Sequence, residues 1–200
     1  MKMIDYQQNQ HVQRSDLSTD VSYLDKTTID AVRNFHKRFP QYKETPLQNL
    51  KALATLYGIE AIYVKDESHR FGLNAFKVLG GAYAIGKYLA GRLDMPIESL
   101  SLDYLKSEAI KEKLGTLTFV TATDGNHGRG IAWAARELGH KSVVYMPQGS
   151  SHLRLENILA EGAEASITSL NYDDAVRLAN QYAEEIGRAS CRVRVYISVV

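Results

Sequence analysis

The sequence predicts an α/β fold, a doubly wound parallel sheet, and three observations carry that prediction. Short apolar runs alternate with segments whose apolar residues recur at three- and four-residue spacing, the pattern of a strand followed by an amphipathic helix. Glycines at 58, 115, 139 and 162 stand where those helices stop. Successive strands are joined through helices and tight turns, the connection that parallel strands require. The composition, 44% hydrophobic and 24% charged, is that of a soluble globular chain with a core of its own.

In chain order, residues 1–26 are polar and lack the apolar stretch of a signal peptide, so they are expected to form a loose N-terminal arm of a cytoplasmic protein. Residues 27–39 set Ile29, Val32, Phe35 and Phe39 on one face of a helix that Pro40 stops. Thr45-Pro46-Leu47 reads as an N-cap with proline at the first helical position, opening a helix through Tyr57. Residues 59–64 form a short apolar strand, 65–72 a polar turn, and the helix that follows holds Lys77 in its first turn. Residues 94–115 are a polar, helical connector with Pro96 near its start. Strands are then expected at 117–121, 141–146 and 165–169, and helices at 131–138, 152–160 and 171–185. The last helix turns Ala175, Leu178, Ala179 and Tyr182 inward.

Residues 186–200 change character. Arginines and a cysteine crowd the start, a β-branched run follows, and no turn chemistry joins them to the helix before. Their first seven residues back-translate into a common sequencing-adapter sequence, so 186–200 are expected to be a non-native tail. The alternative is an ordinary edge strand over residues 193–200.

Several function classes are excluded early. A net charge of +1 offers no attraction to nucleic acid or to an anionic membrane, and the longest apolar runs are far too short to span a bilayer. The single cysteine, Cys191, excludes an internal disulfide framework. No metal site is assigned.

Two places carry chemistry. Lys77 lies between apolar residues in Ala75-Phe76-Lys77-Val78-Leu79, and Gly80-Gly81 after it lets a bulky group approach the backbone. Partial burial would favour the free amine, the nucleophile that Schiff-base chemistry needs. The plainer reading is a helix lysine whose ammonium reaches solvent along its stem. The second place is Asp124-Gly125-Asn126-His127-Gly128, between a strand and a helix, where backbone N–H groups and the helix dipole favour an anion or a polarised oxygen. Asn126 offers an amide donor, and the glycines admit a flat ligand. Taken singly, Asp124 also suits an N-cap, Asn126 a left-handed turn and His127 a packing role. Glycines 125, 128 and 130 are spaced GxxGxG, not GxGxxG, which argues against a dinucleotide.

Together, the Phe76-Lys77 helix start, the Gly125-Asn126-His127-Gly128 turn, Lys65-Asp66-Glu67 and Thr45-Pro46-Leu47 resemble the pyridoxal-phosphate enzymes of the tryptophan-synthase β fold, fold type II. Within that superfamily, residues 70–77 and 123–130 look most like the diaminopropionate ammonia-lyase family, and the likeness runs from about Ala31 to Glu185. The resemblance implies pyridoxal 5'-phosphate held on Lys77, with Phe76, Gly125, Asn126, His127 and Gly128 around it and Asn126 touching the ring hydroxyl. It implies a small amino-acid substrate, 2,3-diaminopropionate, with Lys77 and Asp124 as the bases for its L- and D-isomers, and pyruvate and ammonia as products. It divides the chain into 27–90, the first part of a large cofactor domain, and 91–185, a smaller α/β domain, and it suggests a homodimer. The family's phosphate cradle, its partner for the pyridine nitrogen and a second acidic residue are expected beyond this chain, which would be the N-terminal half of the fold. Threonine and serine dehydratases of the same fold usually have a serine or small residue where Asp124 stands. They are one alternative, and a non-catalytic α/β fragment that binds a ligand or partner is the other.

Overall fold

A computed structural model describes residues 24–190, and it contains eight α-helices and five strands. Three strands, β3 (Thr118–Ala122), β4 (Lys141–Met146) and β5 (Glu164–Ile167), form a parallel sheet in the order β3-β4-β5. Helices cover both faces. Val120, Ala122 and Val143 point to one side, where they meet Ala175, Ala179 and Ala183 of α8 (Tyr172–Ser190). Val144 and Met146 point to the other, where they meet Ala132 of α6 (Asn126–Glu137) and Ile158 of α7 (His152–Leu159). This two-sided cover makes β3 and β4 nearly continuously buried, as parallel sheets require, while the edge strand β5 stays partly exposed. The α/β, doubly wound expectation is met.

A second layer packs on the outer side of α6. Helix α3 (Val78–Leu93) lies against it, and α1 (Lys26–Lys37) lies against α3. Asp25 caps α1 by accepting from the Thr28 backbone N–H at 2.7 Å. Phe35, Phe39, Phe71 and Trp133 form the aromatic centre of this core, with Phe71 and Trp133 centroids 4.8 Å apart. Arg38 then donates to the carbonyls of Ile97 and Leu100, tying the end of α1 to the connector. The connector is helical as expected, in α4 (Leu102–Lys106) and α5 (Glu108–Leu114).

Several boundaries differ from the sequence expectation. No helix opens at Thr45-Pro46. Residues Leu47–Asn49 are instead strand β1, which pairs antiparallel with β2 (Tyr63–Lys65), and α2 (Lys51–Tyr57) begins only after it. The Thr45 hydroxyl is engaged elsewhere, as described below, and cannot cap a helix. The strand expected at 59–64 therefore shrinks to three residues and belongs to this small sheet. Ile29, assigned to the inner face of α1, is 44% exposed. Helix α8 continues to Ser190, so the backbone passes Ile186 without the break expected after Glu185; residues 186–190 contain no proline to stop it. The rest of the tail, with Cys191, and most of the N-terminal arm lie outside the described residues.

Two buried imidazoles give the fold a pH dependence. The His36 ring bridges the carbonyls of Val32 and Leu79 at 2.8 and 2.9 Å, joining α1 to α3. Burial pushes it below the ordinary histidine value, against the pull of the two carbonyls. Burial pushes His140 down to about 4; its Nδ1 accepts from the Leu117 N–H and its buried Nε2 has no hydrogen-bond partner among the described residues. Both take up a proton less readily when folded than an unfolded histidine, which does so near pH ~6.5. The His140 contribution is therefore present above that pH and is lost as pH falls from ~6.5 towards 4, and that of His36 changes in the same direction. Urea midpoints should decline across this window, and His140→Asn should flatten part of the decline.

Candidate active site

Lys77 is the residue immediately before α3, and its side chain is exposed, as are those of Phe76 and Asn126. The expected partial burial of Lys77 is thus not met. The inward face of α3 is set by Val78, Gly81, Ala82 and Ile85, which leaves the preceding residue pointing away from the core. Of the two sequence readings, the amine that reaches solvent is the one this structure has.

The two chemical stretches, separated by about fifty residues, come together through one contact. A Cβ added to Gly130 would lie 2.8 Å from the Val78 Cα and 3.0 Å from its N, so α6 crosses the start of α3 backbone to backbone. One residue earlier, Arg129 donates from Nη1 to the Leu73 carbonyl at 3.3 Å and pairs with Glu161 at 3.0 Å. Glu161, only 7% exposed, also accepts from Arg136 at 2.9 Å. The loop before Lys77 is thereby tied to α6 and to the end of α7. Among the described residues no group of His, Cys, Asp and Glu could hold a metal ion, and no helix is long and apolar enough to cross a membrane.

The segment expected to be a turn at 124–130 is mostly helix. Helix α6 starts at Asn126, with Gly125 as its N-cap and no side-chain capping bond. This removes two plainer readings: Asp124 is not the cap, and Asn126 is a helical residue, not a left-handed one. Asn126 stands at the dipole-positive end of α6. The Thr123 hydroxyl accepts from the Gly125 N–H at 3.0 Å. Asp124 is exposed and faces Arg154 of α7, whose Nη1 is 3.4 Å from its carboxylate. His127 is buried in the first turn of α6. Gly128 is pressed against Thr123 and Val144, where a Cβ would come within 2.3 Å and 2.7 Å, so α6 lies close on the sheet.

Upstream of Lys77 is a network whose members the sequence reading quoted in part but gave no role. Arg70, 8% exposed, donates from Nε and Nη2 to the two Glu67 carboxylate oxygens at 2.7 and 2.8 Å, a bidentate pair. Thr45 donates to Glu67 at 2.6 Å and accepts from Arg70 at 3.1 Å, while Lys65 donates to the Thr45 carbonyl. The hydrogen bonds from Arg70 hold the Glu67 carboxyl below its usual range. This network anchors Phe71, whose φ of 49° is a conformation that aromatic residues seldom adopt. Packing of Phe71 among His36, Phe39, Tyr42 and Trp133 holds it there. Spacing alone shows none of this, because Thr45, Lys65 and Arg70 lie on separate elements. Arg154 was missed as well, since a lone arginine near a helix start reads as a solvated side chain.

Comparison with known proteins sets this arrangement in context. Residues 38–196 match the family described as pyridoxal-phosphate dependent enzyme. The chain is 54% identical over 186 residues to the diaminopropionate ammonia-lyase of Salmonella typhimurium, which covers 93% of this chain and 46% of that protein. The crystal structure of the Escherichia coli diaminopropionate ammonia lyase, in complex with an aminoacrylate-PLP azomethine reaction intermediate, aligns at TM-score 0.76 with 45% identity, covering 88% of this chain and 42% of that one. The biosynthetic L-threonine dehydratase of Salmonella typhimurium is more distant, 29% identical over 153 residues. The chain thus spans about half the length of the curated ammonia-lyases it matches.

The crossing at Gly130 can be tested directly. Gly130→Ala sets a methyl group against backbone that cannot rotate away, so the loss expected is about 1–3 kcal/mol. Gly81→Ala should cost less, because the atom it meets at 2.8 Å is the mobile end of Ile131. Urea midpoints of the two variants, read at unchanged m, decide the ranking.

Proposed function

The chain belongs to the pyridoxal-phosphate dependent enzyme family, and on that premise we propose that it carries the lysine half of a site for α,β-elimination of 2,3-diaminopropionate, both D and L, to pyruvate and ammonia. The observation that carries the reading is the crossing of α3 and α6 at Val78 and Gly130, which sets the starts of the two helices side by side with the Lys77 amine and the Asn126 amide both exposed. The donor set fits pyridoxal phosphate: an accessible primary amine at Lys77 and an exposed amide at Asn126 on a helix N-terminus, where free backbone N–H groups favour an anion. When bound, the cofactor would supply the carbonyl for an amine and the electron sink for the α-carbon.

The chain's own residues then divide the work. Lys77 would hold the cofactor, and its Nζ would serve as the base for the α-proton of the L-isomer. The Asp124 carboxylate takes the α-proton from the D-isomer, because opposite faces of one carbon need two bases. Asn126 would donate to the cofactor's ring oxygen, with the exposed Phe76 beside Lys77. Loss of the β-amino group and hydrolysis of the remaining enamine consume one water and yield pyruvate and two ammonia molecules. The close ammonia-lyase relatives and the carboxylate at 124 both favour this substrate over a hydroxy-amino acid. A homodimer is the assembly we propose for the family-length protein.

Two variants test the reading. Borohydride should fix pyridoxal phosphate to Lys77, seen as a mass increase on the peptide that holds it, and Lys77→Ala should abolish both that increase and the yellow colour. Asp124→Asn should lower D-isomer turnover by about 10²–10⁴-fold and L-isomer turnover by less than about tenfold. Equal losses on the two isomers would count against the two-base assignment.

A further inference from the structure

We propose that Arg154 is the positioning residue for Asp124 and so sets how the protein divides its activity between D- and L-substrates; this rests on the proposed role of Asp124. Arg154 reaches from α7 to the turn between β3 and α6, where it makes three contacts with two consecutive residues. Its Nη1 donates to the Asp124 carbonyl at 3.1 Å and lies 3.4 Å from Asp124 Oδ2. Its stem runs across Gly125: a Cβ there would meet the Arg154 Cδ at 2.9 Å, Nε at 3.4 Å and Cγ at 3.5 Å. The φ of Gly125, 163°, is extended, so a left-handed backbone is not what calls for glycine here. The arginine stem is the group that fills the space a side chain would need.

An exposed ion pair of this kind contributes little to stability, since its Asp124 and Arg154 side chains are 66% and 55% exposed. What it supplies is direction. Bonding to both the main chain and the side chain of one residue restricts the rotation of the Asp124 carboxylate relative to the turn that also presents Asn126. A base that must meet a proton on one face of a carbon depends on that orientation, whereas Lys77, just before α3, does not depend on Arg154. Arg154 suits the task because one nitrogen, Nη1, reaches the carbonyl and the carboxylate together while the stem lies across the glycine.

The experiment compares Arg154→Ala, Arg154→Lys, Asp124→Asn and the double variant Arg154→Ala/Asp124→Asn on D- and L-2,3-diaminopropionate. It adds amide hydrogen exchange of residues 123–127 in the chain without ligand. Arg154→Ala should lower D-isomer kcat by about 10–100-fold with KM nearly unchanged, and should leave the L-isomer within about threefold. Arg154→Lys, which keeps stem and charge, should recover most of that loss. The double variant should be no worse on the D-isomer than Asp124→Asn alone, the coupling expected of one residue acting through another. Exchange at 123–127 should quicken in Arg154→Ala while the rest of the chain is unaffected. If Asp124→Asn is selective for the D-isomer and Arg154→Ala is not, or if Arg154→Ala leaves exchange at 123–127 unaltered, this inference fails and the role of Asp124 stands. If Asp124→Asn falls equally on both isomers, the role of Asp124 fails and this inference goes with it.

Discussion

The contact on which the rest of the structure depends is the crossing of α6 over the start of α3 at Gly130 and Val78. Helices normally lie eight to ten ångströms apart because side chains separate them; here a missing Cβ lets backbone meet backbone. The crossing fixes two things at once. It seals the aromatic core, since Trp133, one turn along from Gly130, packs against Phe39 and Phe71. It also sets Val78, the residue after Lys77, against Gly130, one helical turn along α6 from Asn126.

Each glycine of the 125–130 stretch answers to a different neighbour. Gly125 makes room for the stem of Arg154, Gly128 for Thr123 and Val144 on the sheet, and Gly130 for Val78 on α3. The GxxGxG spacing follows from the faces of one helix: its N-cap faces α7, and the two glycines within it face the sheet and α3. A phosphate-binding glycine loop would leave its glycines open to a ligand, whereas 128 and 130 are closed by protein. The spacing that departs from GxGxxG in the sequence thus has a packing cause.

The same glycines show where sequence reasoning reached its limit. Strands β3, β4 and β5 and helices α3, α7 and α8 were legible because their apolar periodicity is a local property of the chain. The start of α6 was not, because three glycines in six residues read as a turn until the surfaces that require them are known. Strand β1 was illegible for a related reason. Its three residues are exposed and pair with β2 some sixteen residues later, so neither hydrophobic pattern nor local turn chemistry marks it. Thr45-Pro46 had the form of a helix start, but the Thr45 hydroxyl serves Glu67 and Arg70, a partnership no local rule foresees. Lys77 and Asp124 were singled out by residue type and by the family resemblance, while the exposure of Lys77 and the arginine beside Asp124 are matters of tertiary placement.

Exposure is concentrated in one stretch. Leu47, Leu56, Tyr57, Ile59, Tyr63 and Phe76 are each more than half exposed, and all lie between β1 and the residue before Lys77. Beneath them sits the buried Thr45–Glu67–Arg70 network. A bidentate charge pair with a hydroxyl bridging it stays ordered without a large apolar cover, because each partner is satisfied by the others. Packing on the sheet side and hydrogen bonding on the β1–β2 side thus hold the Lys77 loop from two directions. The sheet side is rigid because it is backbone against backbone. The β1–β2 side holds Phe71 in its strained conformation through fixed polar partners, so the loop keeps its shape even where its outer surface is open.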